Sequence, residues 1–210
     1  MKYLKIIIPI SILSLIFIID YYNKYYKPNT SFEAESIFLY VMKDDSIAFR
    51  DSISKYIKSE KTFYKVAEKL EYLGNKKTGR FKIKRDIGNN EIVNSLKFNN
   101  TPVNVTFNNQ ERVEDLAGRV SSQIYEDSIS LLSAFRNQDF LKKNNLNEKN
   151  VLSIFIPNSY NIYWNTSSEN FRDRMLSEYN KFWNKERSEK ADQLGLTKLE
   201  VISLASIVQL

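Results

Sequence analysis

The feature that most constrains this chain is an apolar run near its start, LKIIIPISILSLIFII at Leu4 to Ile19, interrupted only by Lys5, Pro9, Ser11 and Ser14. No soluble amphipathic helix carries so few polar positions, so the segment is predicted to sit in lipid. It is short beside the roughly 20 residues that cross a typical hydrocarbon core, but Lys2 and Lys5 can snorkel, and Tyr21, Tyr22, Tyr25 and Tyr26 extend it as an interfacial aromatic belt. A cleaved signal peptide is the alternative. It needs a small-residue cleavage site, whereas the run passes into Asp20, Tyr21, Tyr22, Asn23 and Lys24 without an Ala-x-Ala pattern. The reading adopted is an uncleaved anchor, with residues 1–27 forming a cytoplasmic tip, a transmembrane helix and its flank. Lys2 and Lys5 favour a cytoplasmic N-terminus, and Lys24 and Lys27 behind the span oppose it. Residues after about Pro28 are expected beyond the membrane.

Apart from this run, the composition is that of a globular protein. The 210 residues are 42% hydrophobic and 27% charged, enough apolar material for one or two small cores and too much for a chain disordered throughout. The sequence contains no His and no Cys. That removes zinc sites built from those ligands, a Ser-His-Asp triad, a cysteine nucleophile and a disulfide framework. Any proton transfer near neutral pH then falls to a carboxylate, Lys or Tyr with a displaced pKa. With five glycines and neither a Walker A run nor a G-x-G-x-x-G, nucleotide binding by those routes has no support, and no cofactor or metal is expected.

Periodicity predicts an α+β fold in two parts. In residues 28–98, the continuously apolar SIFLYV at Ser36 to Val41 predicts a buried strand, and Phe49, Ile53, Tyr56 and Ile57 recur at helical spacing. A second helix puts Phe63, Val66, Ala67 and Leu70 on one face and is expected to stop at a left-handed Gly74. Phe81 and Ile83 alternate with Arg80, Lys82 and Lys84, marking a half-buried strand, and Ile92, Val93 and Leu96 give a short helix. The second part, 101–210, opens on a VNVTF strand at Val103 to Phe107. Asn108 and Glu111 have capping-box spacing ahead of a stripe of Val113, Leu116, Ala117, Val120 and Ile124. VLSIFIP at Val151 to Pro157 is predicted to be a strand ended by the proline. Thr166 with Glu169, and Thr197 with Glu200, are two further capping boxes. The first opens a long helix toward Gly195 that buries Phe171, Met175, Tyr179 and Phe182, and the second an apolar helix still running at Leu210. That ending is expected to be a truncation.

Three stretches, in this order, resemble the endolytic murein transglycosylase family, also called YceG-like, in its Bacteroidetes-type form. They are TPVNVTFNNQERVEDLAGRVSSQI at Thr101 to Ile124, FIPNSYNIYWNTSSENF at Phe155 to Phe171, and GLTKLEVISLASIVQL at Gly195 to Leu210. The second matches the family's F-x-P-[DN]-[TS]-Y signature at Phe155, Pro157, Asn158, Ser159 and Tyr160. The third matches the start of its G-L-[ST]-x-x-E…L-A-S-I-V-x-x-E helix. Residues 28–98 look like the family's LysM-like region, with 101–210 the beginning of an α+β catalytic domain. Two departures stand out. Leu152 and Ser153 occupy the places where many relatives carry Glu-Gly, and the family's catalytic glutamate would fall immediately after Leu210, outside the sequence.

The resemblance implies a membrane-anchored lytic transglycosylase that cleaves the MurNAc–GlcNAc bond of nascent glycan strands and leaves a 1,6-anhydroMurNAc end. The muramyl 6-hydroxyl would attack its own anomeric carbon while one carboxyl acts first as acid and then as base. A residue after Leu210 would stack over Ile207 and Val208, and that apolar stripe would raise its pKa. No catalytic residue is therefore assigned within the chain, which is expected to be inactive alone. The candidates for substrate binding are Asn158, Ser159 and Tyr160, which follow a proline at a strand end, together with Ser206 and Gln209 on the helix leading to the acid. An Asx or Ser turn is the alternative reading for the first three, and packing of a small residue for Ser206. Tyr163 and Trp164 fit core packing better than sugar stacking. Asp44 and Asp45 are read as helix capping rather than a cation site. Lys76, Lys77, Arg80, Lys82, Lys84 and Arg85 make a basic face for anionic glycan peptides or lipid headgroups, with nucleic acid the poorer reading. Implied partners are peptidoglycan glycan strands, the bacterial inner membrane and peptidoglycan synthases. The main domain is expected in the periplasm. A non-catalytic, membrane-tethered peptidoglycan-binding module is the rival function.

Overall fold

The apolar run does form a helix, and it is longer than the run itself: α1 spans Leu4–Tyr25, 22 residues, in a computed structural model that describes residues 4–42 and 45–208. At about 1.5 Å per residue it measures roughly 33 Å, the thickness of a hydrocarbon core. Tyr21, Tyr22 and Tyr25 thus lie within the helix, and Tyr26 follows it. Tyr21 stacks on Tyr25 with ring centroids 4.4 Å apart. The Ser11 hydroxyl donates to the Ile8 carbonyl at 2.8 Å and Ser14 to the Ser11 carbonyl at 2.8 Å, so both polar groups are satisfied within the helix. Ile7–Tyr25 is long and apolar enough to cross a membrane.

The described chain forms two compact units, Met1–Thr101 and Pro102–Leu210. In the first, no linker separates α1 from the globular part. Pro28 forms a β-bridge with Gly88, and the Asn29 amide N–H donates to the Ile87 carbonyl at 2.9 Å. Asn29 and Asn89, 5% and 1% exposed, tie the junction with their side chains. Asn29 Nδ2 donates to Asn89 Oδ1 at 2.6 Å, Asn89 Nδ2 to the Lys24 carbonyl at 2.8 Å, and the Ser59 N–H to Asn29 Oδ1 at 2.8 Å. Buried amides are tolerated because each is bonded.

Three helices and a two-stranded antiparallel sheet complete this unit: β1 (Ser36–Val41), α2 (Ser46–Ser54), α3 (Glu60–Lys69), β2 (Gly79–Lys84) and α4 (Asn89–Phe98). Ile37, Leu39 and Val41 face Ile83, Phe81 and Gly79 on the inner side, over a core that includes Phe49, Phe63, Tyr72 and Leu96. Phe38 and Tyr40 are exposed, so SIFLYV is half-buried rather than buried. The core covers one face only, and the apolar run supplied both. Asp45 caps α2 by accepting from the Ala48 N–H at 2.7 Å, while Asp44 lies outside the described residues. The left-handed residue after α3 is Glu71, with φ 55°. Gly74 sits in a 3-10 turn, Leu73–Asn75, so the glycine does not end the helix.

The second unit contains β3 (Pro102–Phe107), α5 (Val113–Ser121), α6 (Ser128–Phe135), α7 (Gln138–Lys143), β4 (Asn158–Tyr163), α8 (Ser168–Phe182), α9 (Lys185–Gln193) and α10 (Lys198–Val208). Val113, Leu116, Ala117, Val120 and Ile124 are all buried. Arg112 is the residue that precedes α5, and its side chain makes no capping bond, so Asn108 and Glu111 form no capping box. Two other expectations shift. VLSI is a 3-10 turn, Val151–Ile154, and the strand begins after Pro157, where Tyr160 and Ile162 can enter the core that Phe155 already occupies. Ser167, not Thr166, caps α8 by accepting from the Asn170 N–H at 3.3 Å. That helix stops at Phe182, and α9 runs up to Gly195, whose φ is +68°. Thr197 and Glu200 do form a reciprocal box. The Glu200 N–H donates to Thr197 Oγ1 at 3.3 Å, and the Thr197 N–H to Glu200 Oε2 at 2.7 Å. Mixed helix with small sheets makes the fold α+β.

Candidate functional site

β3 and β4 pair antiparallel across more than fifty residues of sequence. Their register sets Val103 opposite Ile162 and Val105 opposite Tyr160 toward the core. The other parity puts Pro102 opposite Tyr163, Asn104 opposite Asn161 and Thr106 opposite Ser159 on the outer face. That face is a ladder of neutral amides and hydroxyls ending in a tyrosine that is 52% exposed. Thr106 Oγ1 and Ser159 Oγ lie 2.7 Å apart across the strands.

Side chains also finish the strand edges. Gln123 Oε1 accepts from the Thr106 N–H at 2.8 Å while its Nε2 donates to the Thr106 carbonyl at 3.0 Å, so one amide substitutes for a neighbouring strand. On β4, Asn158 Oδ1 accepts from the Ser159 N–H at 2.8 Å, and the Thr166 N–H donates to the Tyr163 carbonyl at 3.0 Å. Beyond β4 lies an open concavity of about 360 Å³, lined by Pro102, Asn161, Ile162, Tyr163, Thr166 and Arg174. Arg174 pairs with Glu178 at 2.8 Å.

The sequence-selected residues divide by parity. Ser159 is on the outer face and Asn158 is exposed at the strand's start, whereas Tyr160 turns inward, stacked on Phe107 at 5.5 Å, its hydroxyl donating to the Ile156 carbonyl. Burial pushes that hydroxyl's pKa up, helped by the Glu178 carboxylate and opposed by Arg174. Ser206 is on α10 with its side chain outside the described residues, and Gln209 lies wholly outside them. Tyr163 is not core, and Trp164 packs against Tyr125 with tilted rings whose centroids are 5.1 Å apart. Leu152 is half-buried, and Ser153 Oγ donates to the Asn150 carbonyl at 2.7 Å. Asn104, Thr106, Gln123 and Asn161 were missed. The alternation in VNVTF marks the first two as outward, but nothing local pairs them with NSYNIY.

This face is neutral and polar. None of its six outward residues carries a carboxyl. Elsewhere in the unit, hydrogen bonds hold acids below the usual carboxylate range: the Ser130 N–H for Asp127 and the Thr197 N–H and hydroxyl for Glu200. A general acid near neutral pH needs the opposite shift. Among the described residues no cluster of acids could hold a metal ion.

These features define a class: a protein with a membrane-length helix joined to α+β units, one of which presents a neutral polar face beside an open concavity. The YceG-like family model matches residues 45–210, and the chain belongs to that family, which is the endolytic murein transglycosylase family. A crystal structure of a protein described as yceG-like, from Listeria monocytogenes, aligns over 78% of this chain at 14% identity with a TM-score of 0.44. The chain spans 60% of the length of that one. Comparison with curated proteins gives no match.

Proposed function

We propose that the chain is the membrane-anchored, glycan-binding portion of a lytic transglycosylase that cleaves MurNAc–GlcNAc bonds in peptidoglycan with formation of 1,6-anhydroMurNAc ends. The observation that carries the reading is the family match over residues 45–210. The neutral face of β3 and β4 supports it. Amides and hydroxyls at Asn104, Asn161, Thr106 and Ser159 suit the acetamido and hydroxyl groups of an amino sugar, and an exposed Tyr163 ring suits a sugar face. Asn158 stands at the other end of β4, next to Ser159. In this reading α1 crosses the inner membrane with its N-terminus in the cytoplasm, and both units face the periplasm. Protonation of the leaving oxygen is assigned to a carboxyl outside these 210 residues, as the resemblance implies.

The test is cosedimentation of the full chain with purified glycan strands. Asn161→Ala with Tyr163→Ala is expected to weaken binding at least tenfold without changing the unfolding midpoint, since both side chains are outward. Equal binding by parent and variant would remove the sheet face from the reading. Release of anhydro products by the 210-residue chain itself would show that its acid lies within these residues.

A further inference from the structure

The sheet of the first unit also has an outer face, and its chemistry is the reverse of neutral. The register sets Ser36 opposite Lys84, Phe38 opposite Lys82 and Tyr40 opposite Arg80. The Arg80 guanidinium lies over the Phe38 ring at 3.5 Å, so cation and aromatic form one surface. Phe38 and Tyr40 are 38% and 44% exposed, and Lys82 and Lys84 are exposed. None of the six outward residues is acidic. Lys76 is not part of this face, because its ammonium bonds Ser46 Oγ at 2.9 Å and lies near the Phe49 ring on the core side.

Topology places this surface near the anchor. β2 runs toward α1: four residues lead from Lys84 to Gly88, a path of at most about 14 Å. The Gly88 backbone abuts the carbonyls of Tyr25 and Tyr26, where a Cβ would come within 2.6 Å. That end of the sheet is held, since Arg85 Nη1 donates to the Glu33 carbonyl at 2.7 Å and the Asp86 N–H to Thr30 Oγ1 at 2.8 Å. The acids there, Glu33, Glu35 and Asp86, lie outside the strands, and Asp86 is paired with Arg85 at 3.1 Å.

We infer that this cationic, aromatic face docks on the anionic phospholipid headgroups of the bilayer that α1 crosses, with Lys84 and Lys82 meeting phosphates and Phe38 and Tyr40 entering the headgroup level. The inference rests on the spanning role of α1 proposed above. Three observations support it: opposite charge, the amphipathic pairing of rings and long cationic stems that suits a membrane interface, and the short path to the helix end. Attraction to an anionic leaflet is worth about fivefold per Lys or Arg and fades within a Debye length of about 8 Å at physiological salt. Only cations kept close to the surface profit, and the junction keeps these close. Stem-peptide carboxylates of glycan strands are the competing partner, which the location beside the anchor disfavours.

The absence of cysteine from the chain makes a clean probe possible. A fluorophore on Ser36→Cys sits opposite Lys84 on this face. The labelled full chain is reconstituted in vesicles of phosphatidylcholine, with or without phosphatidylglycerol, containing headgroup-nitroxide lipid as quencher. Carbonate washing scores insertion of α1 separately. Quenching is expected with phosphatidylglycerol, and is lost near 1 M salt, where the Debye length is about 3 Å. Lys82→Gln with Lys84→Gln lowers the docked-to-undocked ratio by about 25-fold, while Lys82→Arg with Lys84→Arg retains it. A chain released by carbonate overturns the anchor and this inference with it. A retained chain whose quenching ignores lipid charge or the Gln variant overturns the docking alone. Loss of glycan cosedimentation in the Gln variant with unchanged quenching assigns the face to glycan and also overturns it.

Discussion

Gly88→Ala tests how firmly α1 and the rest of the first unit are joined. A Cβ at position 88 would stand 2.6 Å from the Tyr25 and Tyr26 carbonyl oxygens and the Tyr26 carbonyl carbon, where ordinary contact begins at 3.4 Å. All three are main-chain atoms, so relief requires the two segments to part. Parting them breaks the bond from the Asn29 N–H to the Ile87 carbonyl and that from Asn89 Nδ2 to the Lys24 carbonyl. Two partly buried bonds at about 1 kcal/mol each, with about 1 kcal/mol of residual strain, give a loss of about 3 kcal/mol. For a unit of this size that lowers the melting temperature by roughly 12–24 °C. Both tryptophans, Trp164 and Trp183, lie in the second unit, so their fluorescence reports it separately while calorimetry reports both. The expected result is a calorimetric transition displaced downward with the tryptophan transition unmoved. Gly74→Ala is the control, because nothing lies within 4 Å of its added methyl. If the two variants melt alike, the steric argument for the junction is wrong.

Tyr72→Phe is expected to be neutral or to stabilise by about 1 kcal/mol, because the ring is fully buried and its hydroxyl has no protein partner among the described residues. Burial, with a smaller contribution from Tyr64, pushes that hydroxyl's pKa well above its usual value. Below about pH 10 the neutral hydroxyl leaves stability independent of pH, and as pH rises beyond that the unfolded state ionises first and stability falls. Calorimetry at pH 8 and above should show a shallower alkaline loss in Tyr72→Phe; a destabilisation beyond about 1 kcal/mol would mean the hydroxyl is bonded. The Asp127 cap works in the opposite direction. The Ser130 N–H, at 2.7 Å, depresses its pKa, so its stabilisation is present above the ordinary Asp range and fades as pH falls through the depressed value. Asp127→Asn, which caps without titrating there, should flatten the acid limb of the second unit's melting profile. Superimposable limbs would contradict the assignment.

Local chemistry was legible where one segment decided it. The long apolar helix α1 comes from composition, the Thr197–Glu200 box from spacing, and the outward Lys82 and Lys84 from alternation in β2. Competition between neighbours was harder to read: Ser167 takes the cap for which Thr166 had equal spacing, and Glu71 adopts the left-handed turn expected of Gly74. Pro157 misled because a residue that cannot donate to a ladder can precede a strand as well as end one. The site suffered most. Asn104 meets Asn161 only through a register between distant strands, and that register decides that Tyr160 is core while Ser159 is surface.

Both edges of the β3–β4 ribbon are partly occupied, which limits how a ligand can approach it. Pro102 offers no N–H, the Gln123 amide occupies both main-chain groups of Thr106, and Asn158 and Thr166 take the Ser159 N–H and the Tyr163 carbonyl. An extended peptide laid alongside either strand would find these rungs already taken, which shortens the run of main-chain groups it could pair with. A ligand lying across the outer face of this ribbon therefore meets side chains standing off the pleat, the Asn104–Asn161 and Thr106–Ser159 pairs and the Tyr163 ring, before it meets main chain.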